Sequence, residues 1–172
     1  MDDLAALIEP QIPALRRYAY ALLRERETAD DLVQDTLERA IKNWPQRHRD
    51  GDLRAWLFAI ERNLFLAGLR RRRWPTGLEP DALAQVADPA PGPEAELGAQ
   101  DILTGLDTLP EEQRSVLLLV AVEDLSYAEA ASILEVPIGT VMSRLSRARQ
   151  RMRLYLETGK PMSVINHLRR VK

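Results

Sequence analysis

The chain has 172 residues, with 24 Lys and Arg against 26 Asp and Glu, a net charge of −2 and 45% hydrophobic residues. That length holds one ordinary domain or two small ones, and the balance describes a soluble folded chain. The absence of cysteine excludes disulfides and thiolate metal sites. The acidic start MDDLAALIEPQIP does not read as a signal peptide, and the longest strongly apolar run, Val116 to Val122, is too short to cross a bilayer.

Helix formers abound and glycine is scarce, so the fold class expected is all-α: two small helical domains joined by a flexible acidic linker, the second with a helix-turn-helix. The first domain spans 1–73. Ile12 to Arg24 reads as a helix with Leu15, Tyr18, Ala19 and Leu22 inward. Thr28 reads as the cap of a second helix running to about Asn43. Its inner face uses Leu32, Val33, Thr36, Leu37, Ala40 and Ile41; its outer face shows Asp31, Gln34, Asp35 and Glu38. NWPQRHRDGDLR makes a loop with Pro45 and Gly51 as breakers. Arg54 to Arg72 is a long helix anchored by Trp56, Leu57, Ile60, Leu64 and Leu69, carrying the polar Asn63 and ending in four arginines. Cations at a helix C-terminus are locally favourable, so that run is explained without any partner.

Residues 74–97 hold five prolines, two glycines and the acids Glu79, Asp81, Asp88, Glu94 and Glu96, with no lysine or arginine. Such a composition builds no core and reads as a linker. The second domain spans 98–158. A short helix covers Asp101 to Asp107, and Leu109-Pro110-Glu111-Glu112 starts another that runs to about Glu123. Ser126 and Glu129 have capping-box spacing, predicting a helix from Tyr127. Glu135-Val136 breaks it, and Pro137 suits the first position of the next helix. Gly139 costs a little helix stability but permits close approach of another backbone. From there Val141, Leu145, Ala148, Met152 and Tyr155 form a buried stripe. Thr140, Ser143 and Arg144 stand in the first turns, where a recognition helix meets base edges in the major groove. Arg147, Arg149, Arg151 and Arg153 lie further along, placed for phosphates. Residues 159–172 follow a Gly-Lys-Pro break as a short basic tail.

A net charge of −2 is unusual for a DNA binder, but its distribution is uneven. Arginine concentrates in 70–73 and 144–153, acid in 25–38 and 79–123. Local patches set the electrostatic footprint; the near-neutral sum implies weak DNA binding by the free chain and a partner that supplies the rest.

DLVQDTLERAIKNW, then LRAWLFAIERNLFLAGLRRRR, then LPEEQRSVLLLVAVEDLSYAEAASILEVPIGTVMSRLSRARQRMR, together resemble bacterial RNA polymerase sigma factors of the extracytoplasmic-function group, over roughly residues 10–73 and 98–156. The resemblance implies that Asp31, Gln34, Asp35 and Glu38 dock on the polymerase clamp. It implies that a base of the minus-ten element is flipped out and met by Asn63, Arg62 and the loop residues His48, Arg49 and Asp50, with Arg70, Arg71 and Arg73 on adjacent phosphates. Thr140, Ser143, Arg144, Arg147 and Arg151 would meet the minus-thirty-five element, and the linker would lie in the RNA exit path. The family often has an acidic residue four after the Asn63 position; here it is Ala67, followed by Gly68. The partners implied are core RNA polymerase, promoter DNA and an anti-sigma factor, in the cytoplasm or held at the membrane by that factor.

Three other readings compete. A sigma-like decoy that sequesters an anti-sigma protein has no use for two arginine faces. A stand-alone helix-turn-helix regulator needs neither DLVQDTLERA nor an acidic tether. For an enzyme, His48 and His167 stand far apart, no carboxylate–histidine spacing recurs and no glycine-rich phosphate loop appears. No catalytic residue, metal, cofactor or small-molecule substrate is therefore expected.

Overall fold

The computed structural model describes residues 2–71 and 93–160. All regular structure among them is helical. Contacts divide the described residues into two compact units: the first takes in 2–71 and 128–136, the second 93–127 and 137–160. Arg73, residues 74–92 of the expected linker and 161–172 of the tail lie outside the described residues. Among the described residues no helix is long and apolar enough to cross a membrane.

In the first unit, α1 (Asp2–Ile8) leads through a 3-10 turn into α2 (Ile12–Leu23). Arg24 in the left-handed region (φ 59°) ends α2, its N–H donating to the Tyr20 carbonyl at 2.7 Å. α3 (Arg26–Asn43) starts three residues earlier than the Thr28 cap implied, because Glu25 is the capping residue. Its carboxylate accepts from the Glu27 and Thr28 amides at 2.9 and 2.8 Å, and the Thr28 hydroxyl donates back to the Glu25 carbonyl at 3.1 Å. A 3-10 turn (Trp44–Gln46) and a loop then lead to α4 (Leu53–Arg70), whose capping residue Asp52 accepts from the Ala55 amide at 2.8 Å.

α3 packs against both α2 and α4. Leu15, Tyr18, Ala19 and Leu22 of α2 are buried, as their spacing required, with Leu32, Val33, Thr36 and Ala40 of α3 and Leu57, Phe58 and Phe65 of α4. The Tyr18 and Phe58 rings meet edge to face, centroids 5.4 Å apart at 88°, a geometry worth about 0.5–1.5 kcal/mol beyond area burial. The Thr36 hydroxyl is buried without an orphaned donor, because it bonds the Leu32 carbonyl at 2.7 Å. Ile41, expected inside, is 53% exposed. Ala40 already supplies the last buried position of the stripe, and Ile41 stands one step round the helix from it.

In the second unit α5 (Pro93–Asp107) begins eight residues before the expected Asp101. Pro93 at its start and Glu94 and Glu96 in its first turns are good helix-opening residues that the proline-rich neighbourhood disguised. α6 (Glu111–Leu117) opens on Glu111 and Glu112 as expected and widens into a π turn (Leu118–Val122), where the Glu123 amide donates to the Leu118 carbonyl at 2.9 Å. Arg114 staples the end of α5: its guanidinium donates to the carbonyls of Leu106 at 3.0 Å and Leu109 at 3.1 Å. The Leu106 carbonyl also accepts from the Leu109 amide at 3.1 Å, so the guanidinium adds a second, charge-assisted bond there and reaches the Leu109 carbonyl just past the helix end.

α7 (Tyr127–Leu134) starts where the capping box placed it and buries Ala130, Ala131, Ile133 and Leu134. Glu135 (φ 54°) closes it, with the Val136 amide donating to the Ala131 carbonyl at 3.1 Å. α8 (Ile138–Thr158) follows, with Pro137 in the capping position just before the first helical residue, and ends at Gly159 in the left-handed region (φ 65°). Gly139 faces open space, so no backbone approaches it among the described residues. The glycine that does permit a close approach is Gly105 of α5. A Cβ there would stand 2.8 Å from both Met152 Cε and Tyr155 Cδ1 of α8.

Gly105→Val therefore overfills the α5–α8 contact and is expected to destabilise the second unit by about 1–3 kcal/mol, read by thermal or urea unfolding. At Glu25, burial raises the carboxyl pKa, but hydrogen bonds from Thr28 and Glu27 outweigh it and hold the group below the ordinary glutamate range. A depressed carboxyl stabilises the fold above the unfolded-state pKa, and that stability goes as pH falls through the folded value. Glu25→Ala is expected to cost about 0.5 kcal/mol at neutral pH after solvent screening. Unfolding curves of variant and parent should converge in acid.

Candidate nucleic-acid interface

Helix α3 turns its buried stripe inward and its acidic stripe outward. Asp31, Gln34 and Glu38 are exposed and Asp35 is half-buried. The Gln34 side chain donates to the Glu38 carboxylate at 3.0 Å, one turn on, which holds two of the four side chains in register. The exposed Ile41 continues the same stripe at i+3 from Glu38, so the surface is acidic with an apolar end.

The loop between α3 and α4 exposes His48, Arg49 and Asp50. It is shaped by a turn in which the Gly51 amide donates to the His48 carbonyl at 3.2 Å, with Asp52 capping α4 immediately after. On α4, Asn63 is exposed while its neighbour Arg62 is only 6% exposed and belongs to the interior beside the fully buried Glu61. The structure thus presents Asn63 and withholds Arg62 from the surface. Arg70 and Arg71 are exposed at the end of α4.

On α8 the buried stripe of Val141, Leu145 and Ala148 defines the opposite arc. At 100° per residue, Met142, Ser143, Ser146, Arg149, Gln150 and Arg153 occupy the exposed arc, with Arg147 at one edge. Thr140, Arg144 and Arg151 stand at its border and are half-buried. Arg144 pairs with Glu112 of α6 at 3.6 Å, its side chain 21% exposed. The Ser143 hydroxyl is turned back onto the Thr140 carbonyl at 3.1 Å. Sequence reasoning passed over Met142, 53% exposed among these polar residues. An apolar residue out of phase with the buried stripe by about a quarter of a turn was the signal that could have found it. Exposed apolar side chains on such a face suit the thymine methyl group.

Two family models match, in the order the two motif regions take along the chain: the Sigma2 domain of PhyR over residues 8–61 and Sigma-70 region 4 over residues 99–152. The chain is 38% identical over 151 residues to the ECF RNA polymerase sigma factor EcfG of Rhodopseudomonas palustris, covering 88% of this chain and 83% of that protein. It is 37% identical to the ECF RNA polymerase sigma factor SigE of Mycolicibacterium smegmatis, covering 87% of this chain and 60% of the longer relative. Among solved structures, the sigma factor RpoE in complex with the anti-sigma factor NepR from Bartonella quintana is similar at a TM-score of 0.77 and 33% identity, covering 93% of this chain and all of that one. The chain belongs to the extracytoplasmic-function RNA polymerase sigma factors.

The Arg144–Glu112 pair predicts a measurable restraint. Glu112→Ala releases a cation at the edge of the exposed arc, so binding to duplex DNA should tighten and the slope of log affinity against log salt should steepen by up to about one unit. Arg144→Ala should weaken base discrimination instead. Anisotropy titrations across a salt series check both; equal slopes in parent and Glu112→Ala would refute the restraint.

Proposed function

We infer that this chain is an alternative sigma factor: it binds core RNA polymerase, recognises promoter DNA and directs the start of transcription, under the control of an anti-sigma factor. The observation that carries this is the presence, in one chain, of two sigma family matches in the order the factor requires. The acidic, isoleucine-ended stripe of α3 and the arginine-bearing arc of α8 are surfaces that core packing does not require.

In this reading residues 1–73 serve the polymerase clamp and the minus-ten element, and 98–158 serve the minus-thirty-five element. Asp31, Gln34, Asp35 and Glu38 dock on the clamp. Asn63 and the His48-Arg49-Asp50 loop receive the extruded base; amide and guanidinium groups suit its polar edge, and extrusion costs a few kcal/mol of stacking that these contacts offset. Arg70 and Arg71 hold phosphates beside it, and the arginines of α8 do the same upstream. Residues 74–97 connect the two, and the chain works in the cytoplasm. The protein itself makes or breaks no covalent bond: binding energy stabilises opened DNA and the polymerase does the chemistry. Control by an anti-sigma factor is supported by the similarity to RpoE, which was solved with the anti-sigma factor NepR.

The deciding experiment adds the purified chain to core polymerase lacking any sigma factor and maps transcript starts on genomic DNA. Start-site selection supports the reading, and its absence on every fragment would end it. A decoy would relieve an anti-sigma factor without conferring starts. Asp35→Arg is expected to weaken core binding about tenfold or more by placing like for opposite charge at the docking face, with the helical fold retained.

A further inference from the structure

The loop that carries His48, Arg49 and Asp50 is short and exposed, yet one side chain spans its base. The Arg47 guanidinium carbon lies 5.3 Å from the centre of the Trp44 ring and 5.9 Å from that of Trp56. The two indoles themselves meet at 6.1 Å and 66°. Trp44 ends the approach from α3 and Trp56 stands in the first turn of α4, so the cation ties the two ends of the loop together. Its Nη2 donates to the Gly51 carbonyl, and the Gly51 amide donates to the His48 carbonyl. Arg47 Nε is buried with no hydrogen-bond partner among the described residues. A side chain that accepts a buried unbonded N–H in order to lie against two indoles is held by that stack and by the Gly51 carbonyl.

We propose that Arg47 is a positioning residue for promoter reading: through Trp44, Trp56 and the Gly51 carbonyl it sets the His48-Arg49-Asp50 loop in its working shape before DNA arrives. A loop held in one shape cannot re-form around a wrong base, so a mismatched base leaves polar groups unpaired and discrimination is kept. The proposal rests on the reading of that loop as the receiver of an unpaired base. Arg47 makes no DNA contact in this scheme, which separates it from the exposed Arg49 and from the phosphate-holding Arg70 and Arg71.

The test uses the full chain bound to core polymerase, as parent, Arg47→Met and Arg47→Lys. Methionine keeps the stem against the indoles but loses the donor to Gly51; lysine keeps both a cation and a donor. Base preference is read by selecting from randomised single-stranded DNA oligomers and sequencing the bound pool. Loop order is read by amide hydrogen exchange across residues 48–51. The parent should enrich one base at one position by about tenfold or more. Arg47→Met should drop that to about twofold or less, exchange faster at the Gly51 amide, and keep the parent's salt slope. Arg47→Lys should recover most of the preference. If the methionine variant keeps both full selectivity and slow exchange, the positioning role is wrong. A lower salt slope would also overturn it, by making Arg47 a direct phosphate contact. A parent chain without base preference, but with faster exchange in the methionine variant, overturns the DNA reading of the loop and leaves the Trp–Arg latch standing.

Discussion

The first unit depends on α3 being gripped from two sides. With α2 and α4 both packed on it, Leu32, Val33, Thr36 and Ala40 have no access to water, and the helix cannot rotate without exposing them. Turning by one residue would swing a side chain through about 100° and bring an acid inward. The acidic stripe of α3 is therefore held outward by the same contacts that close the core. Surface and core are one constraint seen from two sides, and that is why a helix so rich in charge keeps a fixed acidic face.

In the second unit the long α8 is held by contacts from α5 and α6. Arg114 bonds carbonyls at the end of α5, and Gly105 lets Met152 and Tyr155 of α8 come close to that helix. α8 also packs on α6. Those contacts set the rotation of α8 and so decide which of its arginines reach solvent. The ion pair between Arg144 and Glu112 belongs to the same contact surface and draws one arginine aside. In the proposed reading, that pair would lower the charge the arc offers to DNA.

Much of this was legible from periodicity and capping. The buried stripe of α2, most of that of α3, the Val141, Leu145 and Ala148 part of that of α8 (Met152 and Tyr155 are half-buried), the start of α7 at Tyr127 and the opening of α6 at Glu111 follow from spacing and from a few strong end signals. The misreadings have local causes. Glu25 is a rarer capping residue than threonine, so the start of α3 was placed at Thr28, whose hydroxyl turns out to bond the Glu25 carbonyl. Prolines around residue 93 hid the first turns of α5, and the π turn at Leu118–Val122 leaves no mark in an apolar run. In the candidate site, the acidic stripe and Asn63 stood out because charge and amide groups are conspicuous. Burial of Arg62 and the pairing of Arg144 did not, since neither follows from residue type.

The sequence by itself determined an all-helical chain, the family to which it belongs and the faces that its helices bury, because hydrophobic period, caps and motif order are written along one dimension. Only the tertiary structure decided which polar side chains remain available. Whether Arg62 is inside, whether Arg47 lies against Trp44 and Trp56, and how far Arg144 is drawn toward α6 depend on neighbours that are close in space and set by packing. A side chain's type states what it is able to bind; the environment built around it decides whether it is free to do so.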